Sequence, residues 1–427
     1  MSYAHLTELR LTAFKSFRDQ VLPIDPTTIL IGRNGSGKSN VLDALDVMAR
    51  LVRGGTLAEA LRPIRGGASG CAPHGSDSFQ LGCTVDSSEG QFRYDVGIRI
   101  RPRVEIISER IAVTSGGDEW RNVIDIHAAD GIEILSIKDE PEQHVPAGRL
   151  STGPIVNVRA RSQFPSGKMG GDAAQVVIAE ALRSVFHLEP TPYSMREYVA
   201  ADSFALERGA ANISATLARF ENSGDGRRLE RLRSLVDVVS DLEIQKLALI
   251  RTSVNDVMLS VSEQVGPRVE DSTARELSDG ILRLAAVGSA LVAQRDELDL
   301  LEPLVDKPTT TLVMEEIDNG LHPAQAERVL DLVRRTTAEL GNRIVLTTHN
   351  PAFLDAATGE INSSVIVCYR DRETGRSMLS RVTDLPTYAR DMTVGGIGEA
   401  VTRGKLSGDP EPPQDYTEFF DFMRSAE

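Results

Sequence analysis

Four residues near the start of the chain have the types and spacing of a phosphate-binding loop. Gly32, Gly37, Lys38 and Ser39 fit the pattern G-x-x-x-x-G-K-[ST], between an apolar β-prone run and an amphipathic helical pattern. Glycines let successive backbone N–H groups surround a phosphate at a helix N-terminus, where the helix dipole also favours an anion. A glycine turn that merely precedes a helix is the competing interpretation. The residues predicted to contact a nucleotide here are Gly32, Arg33, Asn34, Gly35, Ser36, Gly37, Lys38, Ser39 and Asn40.

Individual side chains in this loop have predicted roles. We expect Lys38 to reach the β- and γ-phosphates of a bound nucleotide, which makes it catalytic as well as binding. We expect the Ser39 hydroxyl to hold Mg²⁺.

Two adjacent carboxylates, Glu315 and Glu316, follow an apolar strand pattern at residues 310–314. At a strand end, one carboxylate can order Mg²⁺ through water and the other can polarise an attacking water. We predict that Glu315 lies on the metal side and that Glu316 is the general base. The competing interpretation is a solvated strand end.

A histidine and a tetrapeptide are two further candidate site features, with weaker support from the sequence. His349 follows a further apolar strand at residues 343–348, and Leu277, Ser278, Asp279 and Gly280 precede an apolar helical pattern. A lone histidine is usually structural, and a serine before a helix is a common N-cap. Only the order of the motifs along the chain favours a catalytic interpretation.

Composition sets the broad class. The chain has 427 residues, 41% hydrophobic and 26% charged, which is typical of soluble globular proteins with two or three domains. Neither a signal peptide nor a membrane-spanning run is recognisable, so we expect a cytoplasmic protein. The three cysteines show no metal-binding spacing, and reduced thiols are expected. The net charge of -15 disfavours indiscriminate binding to phosphate backbones, although a local basic patch can still bind nucleic acid.

The elements that must position these residues fall into three segments. Residues 1–140 contain strands, the phosphate loop and its helix from Lys38 to about Val52, then an antiparallel meander. Residues 141–265 contain an irregular connection and a compact helical lid with helices at 173–187, 212–222 and 227–239, followed by β patterning. Residues 266–427 contain the tetrapeptide, the carboxylates and His349. The meander strands are predicted from the runs FQLGCTVD, FRYDVGIRI, VEIISERIAV and IEILSIKD.

The third lid helix is basic, with Arg227, Arg228, Arg231 and Arg233 interrupted by Glu230. A solvated helix face is the expected interpretation, and a surface for DNA or a partner protein is the alternative.

The order of these motifs resembles that of ABC-type ATPases of the SMC, RecF and OLD branch. The likeness begins with the F-K-S-F turn at Phe14 to Phe17 and covers about residues 1–100 and 270–400. The run E-E-I-D-N-G-L-H-P is similar to the OLD motif E-E-P-E-x-x-L-H-P, although Glu315 stands where the superfamily more often has aspartate. The implied fold is α/β: a split, doubly wound, mostly parallel core with an antiparallel β-lobe and an inserted helical lid. Stand-alone AAA15/AAA21-type proteins show the greatest likeness.

The resemblance also implies how the site works. ATP and Mg²⁺ held by one subunit would be completed by Ser278 and Gly280 of a second subunit, in a homodimer that forms around ATP. His349 would be the switch residue for the γ-phosphate, Asp318 would open the loop that communicates across the dimer, and Lys15 to Phe17 would line the nucleotide edge. The metal-sensing glutamine has one candidate at the start of the lobe, Gln80.

Two biological roles remain open from the sequence. One is a sensor or regulatory subunit in prokaryotic antiphage defence that controls a separate nuclease or toxin, because fewer than eighty residues follow His349 and no nuclease motif is visible. The other is a DNA repair ATPase similar to RecF, which would bind DNA directly. A membrane transporter ATPase is disfavoured by the missing glutamine after L-S-D-G and by the long spacing between motifs.

Overall fold

A computed structural model describes fourteen stretches of the chain, and all structural statements below refer to them. They are residues 3–114, 119–129, 132–137, 143–146, 154, 171–224, 226–237, 243–305, 309–317, 323–348, 354–355, 359–385, 388 and 397–398.

The strands and helices of these stretches are numbered in chain order. The strands are β1 Ala4–Phe14, β2 Phe17–Pro23, β3 Thr27–Ile31, β4 Ser78–Ser87, β5 Gly90–Arg99, β6 Glu105–Thr114, β7 Arg121–Ala129, β8 Ile132–Ile137, β9 Gln143–Pro146, β10 Val185–Leu188, β11 Val199–Ala200, β12 Glu243–Arg251, β13 Asp256–Val265, β14 Arg268–Thr273, β15 Thr311–Met314, β16 Arg343–Thr348, β17 Val365–Arg370 and β18 Ser377–Arg381. The helices are α1 Lys38–Leu51, α2 Leu57–Leu61, α3 Gly67–Cys71, α4 Gly171–Arg183, α5 Ile213–Asn222, α6 Gly226–Asp237, α7 Asp279–Val292 and α8 Pro323–Leu340.

A 14-stranded sheet in the order β10-β15-β16-β3-β17-β18-β2-β1-β4-β5-β6-β7-β8-β9 forms the frame. The five strands from β10 to β17 are parallel neighbours, and those from β2 to β9 are antiparallel neighbours. The two parts join where Ser377 of β18 pairs with Phe17 of β2. The core and the β-lobe are therefore one continuous sheet.

Helices cover both faces of the parallel part, because alternate residues of each buried strand point to opposite sides. Leu30, Val313 and Val345 pack in a core with α1 and α4. Their sequence neighbours Leu312 and Ile344 pack in the other core, with α7 and α8. This arrangement confirms the predicted α/β class with a doubly wound core.

The predicted meander is confirmed, with two strands more than expected, and the second of them, β9, pairs with β8 in a segment that was predicted to be irregular. β7 was not anticipated from the sequence, and it pairs with β6 and β8.

The first lid helix was predicted to run to His187, and this prediction is wrong. α4 ends at Arg183, and residues 185–188 form β10, which pairs parallel with β15 at the edge of the core sheet. A four-residue apolar run fits a helix end or a strand, and the open edge beside β15 selects the strand. β10 therefore belongs to the core, although it lies within the segment 141–265 that was assigned to the insert.

The rest of the insert combines helices with a small antiparallel sheet. β12 and β14 flank β13, and β11 pairs with the start of β13. α5 packs on this sheet, and α6 packs on α7. The lid is thus a mixed α and β unit joined to α7.

Candidate active site

The phosphate loop and the paired carboxylates meet at one edge of the core sheet. β15 pairs parallel with β16, and β16 pairs parallel with β3, where Thr348 lies opposite Ile31. Since parallel strands end at the same edge, the residues that follow β15 and β3 come together there. These residues are Glu315 and Gly32.

Two glycines of the loop are required by close packing against the neighbouring hairpin. Gly32 has a φ of 151° and Gly37 a φ of 122°, both in the region that favours glycine. A Cβ atom would collide with the carbonyl of Cys368 on β17 at Gly32, and with the Ser377 side chain on β18 at Gly37. β17 and β18 therefore enclose one side of the loop.

The Lys38 side chain lies inside the phosphate loop and bonds to the backbone of that loop. Its Nζ donates to the carbonyl oxygens of Gly32 at 2.6 Å and Arg33 at 3.2 Å. The Ser36 hydroxyl is also enclosed, and the described residues give it no hydrogen-bond partner. A cation and an unpaired buried hydroxyl beside the N-terminus of α1 fit an anionic ligand.

Ser39 and Glu315 are in direct contact although they are 276 residues apart. Ser39 Oγ donates to Glu315 Oε1 at 2.6 Å. Because the hydroxyl hydrogen is used in this bond, its oxygen lone pairs remain for a cation. A hydroxyl and a carboxylate are the hard oxygen donors that Mg²⁺ prefers, so these residues fit a magnesium site.

The ionised form of Glu315 is stabilised by its neighbours. Burial alone would raise the pKa of this carboxyl, but hydrogen bonds from Arg65 and Ser39, with the charges of Arg65 and Arg208, lower it. Burial likewise opposes the charge of Arg65, yet its contacts with Glu315 and Asp43 raise the pKa of the guanidinium. Glu315 is therefore an anion that is ready to attract a cation.

Glu316 has an unusual backbone conformation. Its φ is 52°, a left-handed value that is uncommon for residues other than glycine. Its backbone N–H donates to Thr347 Oγ1 on β16 at 2.9 Å, which fixes the chain at this point. The turn gives Glu315 and Glu316 different orientations, and strain of this kind is often found at active sites.

The tetrapeptide Leu277 to Gly280 lies at the start of α7, and its serine, Ser278, is exposed. Ser278 is the N-cap of α7, and its Oγ accepts from the Ile281 N–H at 3.3 Å. Arg196 donates to the Leu277 carbonyl at 2.9 Å and to the Asp279 carboxylate at 2.7 Å. No hydrogen bond or ion pair between described residues joins this segment to the phosphate loop.

A cavity of about 950 Å³ lies beside the loop, at the turn between β1 and β2. Asn40 Nδ2 donates to Ser16 Oγ at 2.9 Å, and Ser16 Oγ lies 2.7 Å from Ser377 Oγ, so the turn and the β17–β18 hairpin are tied to the start of α1. The charged residues that line the cavity are Lys15, Arg18, Asp77, Arg101, Arg370 and Arg376. The cavity is strongly basic although the chain as a whole is acidic.

One predicted site residue, Gln80, is not brought to this edge by the described structure. Gln80 lines a different cavity, on the polar face of the β-lobe with Asp95 and Arg110, and no described contact joins it to Ser39 or Glu315. The structure therefore gives no support for Gln80 as the metal-sensing glutamine. Asp318 and His349 lie outside the described residues.

Sequence reasoning missed three arginines that contact the motifs. Arg65 binds Glu315, Arg196 holds the tetrapeptide, and Arg370 donates from Nε to the Gly35 carbonyl at 3.0 Å. Each is remote in sequence from its partner, and no local pattern distinguishes it from other surface arginines.

The basic helix α6 is largely neutralised within the chain, because Arg228, Arg231 and Arg233 pair with Glu297, Glu339 and Glu230.

Comparison with known proteins decides the family. A family model described as "AAA domain, putative AbiEii toxin, Type IV TA system" matches residues 27–122 and 201–355, more than half of the chain. The chain belongs to this family. The prediction of an ABC-type ATPase of the SMC and RecF branch is confirmed.

The relatives of this chain include a DNA replication and repair protein and a chromosome partition protein. The DNA replication and repair protein RecF of Caulobacter sp. (strain K31) is 31% identical over 109 residues, which are 25% of this chain and 26% of RecF. The chromosome partition protein Smc of Mycolicibacterium paratuberculosis is 25% identical over 304 residues, which are 69% of this chain and 23% of Smc. The matches span about a quarter of the length of these relatives.

Solved structures with a similar chain path include SMC heads. The SMC head domain from Thermotoga maritima has a TM-score of 0.41 at 15% identity and covers 88% of this chain and 98% of its own. The Pyrococcus furiosus Smc head domain with an extended coiled coil, bound to the C-terminal domain of ScpA, has a TM-score of 0.45 at 13% identity and covers 91% and 100%. Within the described ranges, no helix has both the length and the apolar character needed to cross a membrane.

Proposed function

We propose that this chain binds ATP with Mg²⁺ and hydrolyses it in a homodimer that forms around the nucleotide. The observation that carries the proposal is the 2.6 Å contact between Ser39 and Glu315, because it places the phosphate loop against the paired carboxylates. Lys38, at the same edge, supplies a positive charge for the β- and γ-phosphates.

The basic cavity beside the loop is proposed to receive the nucleoside part of ATP. It adjoins Asn40, which follows the phosphate loop, and it is lined by Lys15 and Ser16 of the turn. Its volume of about 950 Å³ is at the upper end of the range for small-molecule sites.

In the proposed reaction, Glu316 takes a proton from the attacking water as the water oxygen bonds to the γ-phosphorus. The bond between this phosphorus and the bridging oxygen of ADP breaks, and the charge that develops on the γ-phosphate is stabilised by Lys38. Ser278 of a second subunit faces the γ-phosphate and completes the site. Ser39 and Glu315 would hold Mg²⁺, which would supply further charge neutralisation when bound.

Replacing Glu316 with glutamine tests the proposed base. Because a positioned general base contributes typically 10²–10⁴-fold to rate, we expect Glu316→Gln to lower the rate of ATP hydrolysis by at least about a hundredfold while ATP still binds. Turnover is measured as phosphate release, and binding by calorimetry. Lys38→Ala is the matched control, which should lose ATP binding itself. Unchanged turnover in Glu316→Gln would exclude Glu316 as the base.

We further propose that the ATPase acts in the cytoplasm as the sensor of a prokaryotic antiphage defence system and controls a separate nuclease or toxin. The family description, which names a toxin of a type IV toxin–antitoxin system, supports this role. A DNA repair function is the second candidate, supported by the match to RecF.

Affinity purification from the native host separates the two roles. Tagged Glu316→Gln and Lys38→Ala are purified in parallel with ATP and Mg²⁺, and bound proteins and DNA are identified. A stoichiometric nuclease or toxin that is retained only by Glu316→Gln is the result expected for defence. Recovery of DNA and repair proteins alone would contradict the defence role and favour repair.

A further inference from the structure

Arg65 is hydrogen-bonded to Glu315, the carboxylate that we assign to the metal. Its Nη2 donates to Glu315 Oε2 at 2.6 Å, and its Nη1 lies 3.4 Å from Glu315 Oε1. Oε1 is the same oxygen that accepts from Ser39. A cationic side chain thus contacts both oxygens of Glu315.

A second acidic side chain extends this ion pair. Arg65 Nε lies 3.4 Å from Asp43 Oδ1, and Lys15 Nζ lies 2.7 Å from Asp43 Oδ2. Lys15 also donates to the Arg65 carbonyl at 3.0 Å. Two carboxylates and two cations therefore balance in charge beside the phosphate loop.

We infer that Arg65 is an exchangeable counter-ion that holds Glu315 until Mg²⁺ arrives and is then displaced by it. This inference rests on the proposed function in one respect, the assignment of Ser39 and Glu315 to the metal. A divalent cation beside Glu315 would add two positive charges within contact distance of Arg65. Like charges so close repel each other, and the cation with its waters competes for the same lone pairs of Glu315.

The geometry allows Arg65 to leave without disturbing the rest of the site. Its side chain is 46% exposed, whereas the side chains of Asp43 and Lys15 are 5% and 10% exposed. The Ser39 hydrogen bond to Glu315 does not depend on Arg65. Displacement therefore uncovers a preformed pair of oxygen ligands, and Lys15 stays with Asp43.

The test measures metal binding directly, without nucleotide or turnover. Mn²⁺ is the probe, because it accepts oxygen ligands and its free concentration is read from the EPR signal. We expect Arg65→Gln to bind Mn²⁺ about tenfold more tightly than the wild type, since removal of one charge-assisted hydrogen-bonding competitor is worth about one decade in affinity. Mn²⁺ also binds elsewhere on this acidic protein. This background binding is measured in Ser39→Ala and is subtracted from the binding of each variant.

Arg62→Gln is the matched control. It removes the same charge three residues earlier in the chain, from an exposed arginine that is not among the hydrogen-bond partners of Glu315, and should change Mn²⁺ affinity less than about twofold. Mn²⁺ affinity in Arg65→Gln no higher than in Arg62→Gln would overturn the inference. Should Arg65→Gln fail to fold, Arg65→Met keeps the apolar stem and carries the same expectation.

The outcomes also distinguish this inference from the proposed function. If the wild type bound no more Mn²⁺ than Ser39→Ala, both without nucleotide and in a further titration with ATP, the assignment of Ser39 and Glu315 to the metal would be wrong. If it bound Mn²⁺ with ATP but Arg65→Gln behaved like the wild type, only the role of Arg65 would be rejected.

Discussion

Glu315 and Glu316 are adjacent carboxylates whose surroundings differ. Glu315 continues from β15 toward Ser39 and Arg65, which hold it as an anion. Glu316 turns at a φ of 52°, with its backbone held by Thr347 of the neighbouring strand. A residue in this conformation costs about 1 kcal/mol or more, and the surrounding sheet must supply that energy. The backbone therefore places two identical side chains in different surroundings, as the different roles proposed for them require.

His187 on β10 is a buried histidine whose imidazole is held in the neutral form. Its Nε2 is enclosed and has no hydrogen-bond partner among the described residues. Burial lowers the pKa of this imidazole to about 4; the charge of Asp46 acts in the opposite direction, and those of Arg208, Arg50 and Arg53 add to the lowering. The folded chain thus excludes a proton that the unfolded chain binds.

Stability should consequently depend on pH through His187. The folded pKa is below the unfolded value of 6.5, so the free energy of unfolding is highest above pH 6.5 and falls as the pH falls toward 4. At pH 5 we expect a loss of about 2 kcal/mol relative to pH 7.5 in the wild type, and its absence in His187→Gln. Urea unfolding at the two pH values measures the difference. His74→Gln, at an exposed histidine, should keep the wild-type dependence, and an equal loss in His187→Gln would contradict the argument.

At the scale of elements, α7 connects the lid to the tetrapeptide. Ser278 caps its N-terminus, Arg196 of the insert holds the residues on either side, and α6 packs along its length. The two helices lie close together at Gly288, where an added Cβ would collide with the side chain of Leu232, which is fully buried. The helices meet closely because this position has no side chain.

Alanine at two helical glycines tests this packing. Alanine normally stabilises a helix relative to glycine by about 0.5–1 kcal/mol, and we expect up to this gain for Gly226→Ala, where the space is open. Gly288→Ala should instead destabilise by about 1 kcal/mol or more, since overpacking a buried contact outweighs helix propensity. Thermal unfolding of both variants gives the comparison. A gain in stability at both positions would show that α6 and α7 have room to separate.

For the whole molecule, the main feature is that no hydrogen bond or ion pair between described residues joins the phosphate loop to the tetrapeptide of the same chain. The loop contacts Glu315 and the β17–β18 hairpin, whereas Ser278 is exposed on the insert side, at the start of α7. If the proposed homodimer is correct, neither subunit completes a site by itself.

Ser278→Arg tests the composite site. In a Glu316→Gln background, this variant should still bind ATP but should remain monomeric, because a long cation at the subunit contact obstructs the approach of the second subunit. Light scattering with and without ATP measures the mass. Ser278→Gly controls for loss of the helix cap, which glycine replaces at a cost of only a few tenths of a kcal/mol. Normal ATP-dependent dimerisation of Ser278→Arg would reject the model.

The sequence by itself determined the phosphate loop, the strand before the carboxylates and the α/β class. These features are encoded by consecutive residues, since glycine conformations and strand periodicity act over a few positions. For the same reason the strands of the meander, apart from β7 and β9, could be predicted.

Only the tertiary structure decided which distant groups meet. Arg65 and Glu315 are 250 residues apart, and their contact depends on the strand order of the core sheet. Val185–Leu188 is a strand because β15 offers a free edge, and Gln80 faces a separate cavity because the register of β4 directs it there. Pairing partners and register are set by packing between remote segments, which no local pattern in the chain records.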